Sequence, residues 1–206
     1  MTRYGMAIDL NRCFGCQTCA VACKIANNMP EDVVYNRVFT LDVETTDTAA
    51  GQFPNCTMEF LPMQCQHCEM PACMAHCSTG ATQQREDGIV WVDNELCIGC
   101  GSCVEACPYE GVRTTIVEEP KYYLENMVGE ADAPTHKAST TEKCNFCYNL
   151  IDRGEVPACM QLCPGRARYW GDLDNPESEI SKAIEGRDYE LLQEDAGTKP
   201  KVYYLK

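Results

Sequence analysis

The sequence predicts an α+β fold in which two modules of similar construction interlock, with an insertion and a C-terminal helix and tail. Three observations support this prediction. Sixteen of the 17 cysteines fall into four groups of four, and groups one and three are copies of one unit, whereas groups two and four are copies of another. A run with Asp87-Gly88 at its centre, the strongest local indication of a hairpin, separates group two from group three. Repetition of this kind marks duplicated supersecondary units.

The cysteine groups differ in their internal spacing. Group one is Cys13, Cys16, Cys19 and Cys23; group two is Cys65, Cys68, Cys73 and Cys77; group three is Cys97, Cys100, Cys103 and Cys107; group four is Cys144, Cys147, Cys159 and Cys163. Group three reads Cys-x2-Cys-x2-Cys-x3-Cys-Pro in full, and group one lacks only the proline. Groups two and four share Pro-Ala-Cys-Met. Cys56 is left over, and we expect it to be a plain buried thiol.

The secondary-structure elements follow from local patterns along the chain. Each cysteine group is expected to run into a short helix, which Pro108 and Pro164 end in groups three and four because proline cannot continue a helix. The remaining expectations are a hairpin at 80–93, outer strands at 6–10 and 167–171, an insertion without a clear period at 109–141, a helix at 174–186 with Asp174 as its capping residue, and a final strand at 202–205.

The cysteine content requires a chemical explanation, because 17 cysteines in 206 residues is an unusual share. The count is odd, and the N-terminus has no basic segment followed by an apolar run. No stretch approaches the roughly 18 apolar residues of a membrane span. These features disfavour a secreted disulfide framework and favour metal or redox use. They also predict that the chain has no export signal or membrane anchor of its own.

A cubane iron-sulfur cluster needs four thiolates around a compact inorganic core. A loop with a cysteine at every third position supplies three of them. In bacterial ferredoxins, whose run group three matches, the last cysteine ligates the other cluster of the pair. Zinc is the competing interpretation, but zinc sites use two separated pairs of cysteines. The colour of the protein would discriminate, because clusters absorb broadly at roughly 400 nm and a zinc module is colourless.

Linker lengths indicate which groups pair. Only 19 residues separate Cys77 from Cys97, while 41 separate group one from group two and 36 separate group three from group four. Groups two and three therefore form an inner dicluster ferredoxin-like module, and groups one and four form an outer one around it. The predicted boundaries are 1–35 plus 138–172 for the outer module, 56–118 for the inner module, 119–137 for the insertion, and 173–206 for the C-terminal helix and tail.

The exchanged-ligand rule then predicts four [4Fe-4S] clusters and their ligands. The sets are Cys13, Cys16, Cys19 and Cys163 for cluster 1; Cys144, Cys147, Cys159 and Cys23 for cluster 2; Cys65, Cys68, Cys73 and Cys107 for cluster 3; and Cys97, Cys100, Cys103 and Cys77 for cluster 4. No nucleophile-base pair, phosphate loop or open metal position appears in the sequence, so we expect no independent active site.

Several other residues have a structural and a functional interpretation. His67 and His76 are expected to pack beside the ligands rather than to be ligands, and Gly15 and Gly99 to allow close approach of the backbone to a cluster. Trp91 and Trp170 are expected in the core. Four basic residues either offset cluster charge or are simply solvated: Lys24, Lys143, Arg166 and Arg168.

The formal charge of -14 excludes one class of partner. A surface with this excess of carboxylates repels a polyanion such as nucleic acid. We therefore expect no nucleic-acid partner.

At this level of detail the chain resembles a known family. The features that carry the resemblance are the repeated Pro-Ala-Cys-Met, the stretches 141–147 and 163–173, and the tail 197–204. They resemble the iron-sulfur subunits of molybdopterin oxidoreductases of the dimethyl sulfoxide reductase type, over nearly the whole chain. Gln84 to Val90 and the tail are also similar to transhydroxylase small subunits, but those are expected to lack one full ligand set. The complete groups here favour net redox chemistry.

The resemblance implies an electron-transfer subunit whose partner is a catalytic subunit with a molybdenum or tungsten pterin centre. It leaves open a membrane subunit that handles quinol. It also leaves open the compartment, because family members without their own signal either are exported with a signal-bearing catalytic subunit or stay in the cytoplasm. A free-standing polyferredoxin shuttle is the alternative function. It would leave the insertion and the tail exposed, whereas a subunit would bury them against its partner.

Overall fold

A computed structural model describes residues 2–206 as an α+β arrangement of short elements. The strands are β1 Tyr4–Asp9, β2 Asn36–Thr40, β3 Ala50–Gln52, β4 Asn55–Thr57, β5 Phe60–Gln64, β6 Thr82–Gln84, β7 Val90–Val92, β8 Arg113–Ile116, β9 Thr140–Lys143, β10 Arg168–Asp172, β11 Tyr189–Glu190 and β12 Val202–Leu205. The α-helices are α1 Thr18–Ala26, α2 Ala72–Ala75, α3 Ser102–Glu105, α4 Tyr148–Asp152, α5 Ala158–Gln161 and α6 Glu179–Ile184, and a single 3-10 turn covers Glu194–Ala196.

The largest sheet joins the two ends of the chain in the order β10-β1-β12-β11. β1 pairs antiparallel with β10 and parallel with β12, so Met6 lies opposite both Trp170 and Val202. β1 is covered on both faces: Met6 and Ile8 contribute to the main core, and Ala7 packs in a separate cluster. The predicted outer strand pair and the final strand are therefore confirmed.

Three further strand pairs matter for the cysteine loops. β6 and β7 form the predicted hairpin, in which the Asp87 carboxylate accepts a hydrogen bond from the Ile89 amide at 3.0 Å. β2 pairs with β5, which the sequence did not predict. The interpretation of 109–141 as one insertion was wrong at its ends, because β8 and β9 pair there in antiparallel register with Arg113 opposite Lys143.

The helices that follow the cysteine loops are short. α3 and α5 each end two residues before the last cysteine of their group, and a proline follows that cysteine. Group one has Lys24 after its last cysteine, and α1 continues to Ala26. α2 also ends two residues before the last cysteine of its group, although Ser78 follows Cys77, so proline alone does not set where these helices end.

The C-terminal helix begins later than predicted. Its N-cap is Ser178 rather than Asp174, and the Ser178 hydroxyl accepts a hydrogen bond from the Ser181 amide at 3.3 Å. Pro176 therefore precedes the helix instead of lying in its first turn. Ile180 on this helix is fully buried, in one cluster with Ala7 and Leu205.

The main core is built largely from cysteine and its neighbours. The thiols Cys19, Cys23, Cys65, Cys144 and Cys159 lie in one cluster with Met6, Ile8, Phe146 and Trp170. Trp170 is thus a core residue as expected, and Trp91 is half-buried. Within residues 2–206, none of the helices combines the length and apolar character that crossing a membrane requires.

Candidate metal centres

The sixteen grouped cysteines lie on loops and helix ends whose backbone turns sharply. Gly15 and Gly99 have φ of 73° and 63°, a left-handed conformation that glycine adopts without strain. A Cβ at Gly15 would lie 2.4 Å from the Phe60 ring, and one at Gly99 would lie 2.7 Å from the backbone of Ser139. The structure therefore gives these glycines a steric requirement, because other parts of the chain fill the space that a side chain would need. Their close approach to a cluster stays a prediction.

The predicted ligand sets are called here the first, second, third and fourth quartets, in the order of clusters 1 to 4. The thiols of the first quartet line a single cavity: Cys13, Cys16, Cys19 and Cys163. Cys163 comes from group four and the other three from group one. Loops about 150 residues apart thus converge on one space.

The second quartet lies entirely in the interior. Burial raises the pKa of Cys23, and the neighbouring thiolates of Cys147, Cys144 and Cys159 raise it further. All four thiols are buried. Cys23 of group one therefore lies among three cysteines of group four, the reciprocal of the arrangement around Cys163.

The third quartet combines groups two and three. Burial raises the pKa of Cys107 to about 11, and the thiolates of Cys65 and Cys73 are among the groups that raise it further. Burial also raises the pKa of Cys68, with Cys65 and Cys73 again among its neighbours. Three of these thiols are buried and Cys107 is half-buried.

The fourth quartet, like the first, has one exposed, two half-buried and one buried thiol. Cys100 is exposed, and hydrogen bonds from Ser102 lower its pKa, while the nearby Cys77 thiolate opposes this. Cys103 is buried, and the Cys97 thiolate is among its neighbours. Cys77 and Cys97 are half-buried.

Neighbouring quartets are linked by three pairs of interacting thiols. Cys19 lies near Cys159, Cys65 lies near Cys144, and Cys73 lies near Cys103. These pairs join the first quartet to the second, the second to the third, and the third to the fourth. The quartets therefore follow one another in a row whose two ends carry the exposed thiols Cys16 and Cys100.

Backbone amides point at sulfur atoms in all four quartets. The amide to sulfur distances are 3.4 Å from Ala167 to Cys163, 3.4 Å from Phe146 to Cys144, 3.5 Å from His67 to Cys65, 3.3 Å from Thr82 to Cys77 and 3.3 Å from Thr141 to Cys97. Hydrogen bonds of this kind stabilise a thiolate and tune an iron-sulfur cluster.

Three cations are buried along the same row. Arg168 Nη1 lies 3.7 Å from the Cys159 sulfur, and Lys143 Nζ donates to the Cys144 carbonyl at 2.7 Å. Arg113 lies beside Cys73, Cys65, Cys103 and Cys107, and both of its terminal nitrogens lack a hydrogen-bond partner among the described residues. Buried donors without acceptors are costly, so these donors fit anionic clusters with accessible sulfur atoms.

Two of the basic residues predicted beside the clusters have other roles. Lys24 donates to the carbonyl oxygens of Pro30 and Glu31, at 2.7 and 2.8 Å, and thereby fixes the loop that follows α1. Arg166 is exposed. Cys56, expected to be buried, is exposed on β4.

Of the two histidines beside the predicted ligands, His67 packs in the interior as expected, whereas His76 does not. His67 is fully buried, stacks on Phe146 with ring centroids 3.6 Å apart, and accepts a hydrogen bond from the Val90 amide at 3.1 Å. Burial lowers its pKa well below the ordinary range, as do the charges of Lys143 and Lys201. His76 is exposed and its Nδ1 lies 2.8 Å from the Ala72 carbonyl.

Sequence reasoning missed three polar residues that lie close to the thiols. The Asn27 amide lies 3.7 Å from the Cys23 sulfur and 3.9 Å from that of Cys147. The Tyr109 hydroxyl lies 3.8 Å from the Cys68 sulfur. Arg113 is the third. Asn27 and Tyr109 lie two to four residues from a cysteine in the sequence, and this proximity could have identified them.

Comparison with known proteins agrees with this chemistry. A family model described as a 4Fe-4S dicluster domain matches residues 56–121 and 130–173, and one described as a 4Fe-4S binding domain matches residues 10–35. The chain is 40% identical to the iron-sulfur subunit assigned to a dimethyl sulfoxide reductase of Halobacterium salinarum, over all of this chain and 79% of that protein. It is 38% identical to a selenate reductase subunit of Mesobacillus selenatarsenatis, over 97% and 70% of the two chains, and 38% identical to a tetrathionate reductase subunit of Salmonella typhimurium, over 98% and 72%.

The fold and the thiol chemistry thus define a ferredoxin-like iron-sulfur protein. The chain belongs to the 4Fe-4S dicluster family and, within it, to the iron-sulfur subunits of reductase complexes. It is an electron-transfer subunit that carries four [4Fe-4S] clusters, and it is not itself the catalytic subunit.

Proposed function

We propose that this chain conducts electrons to or from a catalytic subunit that holds a molybdopterin centre with molybdenum or tungsten. The observation that carries the proposal is the row of four thiol quartets, with buried quartets in the middle and an exposed thiol at each end. When bound, four [4Fe-4S] clusters supply carriers of single electrons. An exposed quartet at each end suits a protein that receives electrons on one side and delivers them on another.

The ligand sets predicted from the exchanged-ligand rule are part of this proposal, and so is the interlocking of the two modules. The cavity shared by Cys13 and Cys163, and the position of Cys23 among group four, support the exchange in the outer module. The proximity of Cys107 to Cys65 supports it in the inner module. The predicted boundaries, 1–35 plus 138–172 and 56–118, follow the same pairing.

The residues around the quartets have separable roles. Thiolates bind the inorganic cores and amides donate to their sulfur atoms, which fixes each ligand loop. Burial of the second and third quartets excludes water, which lowers the local dielectric constant and strengthens the effect of nearby charges. Arg168, Lys143 and Arg113 offset the negative charge of thiolates that would otherwise repel one another.

The proposed partner follows from what the relatives are called. Selenate, tetrathionate and polysulfide reductases each have a component similar to this chain. We infer a catalytic partner of the same type, a membrane subunit that handles quinol in the same complex, and a compartment set by the catalytic subunit. Co-export with that subunit places the chain at the outer face of the cytoplasmic membrane, and a catalytic subunit without a signal keeps it in the cytoplasm.

Anaerobic purification of the tagged chain from its native cell tests the proposal. We expect about sixteen iron atoms per chain and a copurifying subunit that contains a pterin with molybdenum or tungsten. Iron near zero, or zinc in its place, would refute the cluster assignment. A loaded chain that elutes alone in size exclusion would instead favour the polyferredoxin shuttle.

Serine substitutions test the exchanged ligands. Cys13→Ser and Cys163→Ser are expected to alter the same paramagnetic signal, although the two residues belong to different groups. Cys100→Ser and Cys107→Ser are expected to alter different signals, although both residues lie in group three. Electron paramagnetic resonance of the reduced complex measures this, and the opposite pattern would mean that each group binds its own cluster.

A further inference from the structure

Arg113 and Arg168 occupy similar positions in the proposed inner and outer modules. Each is the first residue of a strand, β8 or β10, that follows the last cysteine of its group by five or six residues. Both are almost fully buried, with exposures of 6% and 3%. A guanidinium is charged at any ordinary pH, and burying it without a partner is strongly unfavourable. Each arginine therefore needs compensating groups.

The two arginines differ in the acceptors that the chain gives them. Arg168 Nη1 donates to Gln64 Oε1 and to the Met6 sulfur, both at 3.2 Å, and its Nη2 donates to Asn36 Oδ1 at 3.3 Å. Arg113 has no hydrogen-bond partner at Nη1 or Nη2 among residues 2–206. Its terminal N–H groups are thus left without protein acceptors.

The surroundings of Arg113 are thiols from two quartets. Burial by itself lowers the pKa of Arg113, but the thiolates of Cys73, Cys65, Cys103 and Cys107 outweigh burial and raise it. Cys103 belongs to the fourth quartet and the other three to the third. Arg113 therefore lies between the third and fourth quartets, as Arg168 lies between Cys159 of the second quartet and Cys19 of the first.

The strand opposite Arg113 makes a protein acceptor still less available. Lys143 pairs with Arg113 in the register of β8 and β9, and two like charges in this position disfavour each other. Lys143 has acceptors of its own, since its Nζ donates to the carbonyl oxygens of Val90 and Cys144. The group that balances Arg113 must therefore be anionic and lie on the thiol side.

We propose that Arg113 is a positioning residue for electron transfer between the third and fourth quartets, where its guanidinium donates hydrogen bonds to sulfur atoms of the clusters and raises their reduction potentials. The inference rests on the ligand sets under the proposed function. The physical reason is electrostatic: one-electron reduction adds a negative charge, and a fixed cation in a water-poor interior stabilises it. Arg168 is a second fixed cation, placed beside thiols of the other two clusters, and its Nη1 lies 3.7 Å from the Cys159 sulfur.

Arg113→Gln in the purified complex tests this, with Arg153→Gln as the matched control. Arg153 is paired with Glu130, Asp132 and Glu155 at the surface and contacts no thiol. Redox titration followed by electron paramagnetic resonance is expected to show two of the four midpoint potentials shifted to lower values in Arg113→Gln. Arg168→Gln should shift the other two, and Arg153→Gln should shift none. Arg113→Lys, which keeps the charge, should recover most of the shift.

Iron analysis separates failure of this inference from failure of the proposed function. A fully loaded Arg113→Gln complex with unchanged potentials overturns the inference and leaves the conducting role intact. A wild-type chain without iron would instead refute the proposed function.

If Arg113→Gln does not assemble, a comparison of the wild-type protein with Arg113→Lys still tests the inference. With arginine labelled by ¹⁵N, the reduced complex should show nitrogen hyperfine coupling that Arg113→Lys removes. Absence of that difference would equally overturn the inference.

Discussion

The second and fourth quartets are both proposed to hold a cluster, but their surroundings differ. In the second quartet Cys23, Cys144, Cys147 and Cys159 are all buried, whereas in the fourth Cys100 is exposed and Cys77 and Cys97 are half-buried. The difference follows position in the row, because the second quartet has neighbours on both sides and the fourth has one. The comparison shows how one repeated motif can serve both as a protected conductor and as a point of electron exchange at the surface.

Ligand removal should give the largest difference between the two quartets. Cys147→Ser leaves three buried thiols facing one another around a space that the fold cannot fill. We expect loss of most of the folded protein, and iron below about twelve atoms per chain in what remains. Cys100→Ser changes a thiol at the surface, where water can complete the coordination. We expect this variant to fold and to retain at least about twelve iron atoms per chain. Iron analysis and circular dichroism measure both. Equal losses in the two variants would refute the comparison.

A smaller effect on stability is expected from substitution of two phenylalanines, each of which closely follows the first cysteine of its group. Phe146 is 1% exposed and contacts Trp170 edge to face at 4.8 Å, whereas Phe14 is 57% exposed. Phe146→Ala should lower the unfolding free energy by about 3 to 5 kcal/mol, and Phe14→Ala should change it by no more than about 0.5 kcal/mol.

For both phenylalanine variants, the shift of the urea unfolding midpoint measures the change in unfolding free energy. This holds when the dependence of that free energy on urea concentration is unchanged. Phe146→Leu, which keeps most of the volume, is the control and should lose less than Phe146→Ala. A Phe14→Ala shift as large as that of Phe146→Ala would mean that surface and interior loops are equally well packed.

Local patterns predicted the parts of this fold that depend on local chemistry. Asp87-Gly88 located its hairpin because the turn residues themselves favour it, and the cysteine spacing predicted the thiol groups that converge. The pairing of β2 with β5 was missed because the connection, residues 41–59, carries no single turn motif. The parallel pairing of β1 with β12 joins the two ends of the chain, and no local pattern reports it.

The buried charges were predicted only in part, for a similar reason. Arg168 was noticed because it lies close to Cys163. Arg113 stands in a run, Val-Arg-Thr-Thr-Ile, that reads as an ordinary strand with one solvated charge, and only the assembled thiols show why it is buried. Burial of Lys201 was equally invisible, although its Nζ donates to the Gly88 carbonyl at 2.6 Å.

The smallest expected effect is a pH dependence that extends the contrast between interior and surface to two lysines. Burial lowers the pKa of Lys201 from 10.5 to about 8, whereas Lys206 is exposed and paired with Glu190. Between about pH 8 and pH 10.5, Lys201 is protonated in the unfolded chain and largely neutral in the folded chain. Stability should therefore rise as pH increases from about 8 to about 10.5, and the penalty should be fully present below pH 8.

Urea midpoints of the anaerobic protein across this pH range provide the measurement. Lys201→Met keeps the length of the side chain without a titrating group, and it should flatten the slope of stability against pH. Lys206→Met should leave this slope unchanged. An unchanged slope in Lys201→Met would mean that another group titrates. A slope of opposite sign in the wild type would mean that Lys201 stays protonated, with its charge stabilised by Glu69 and Asp87 beside it.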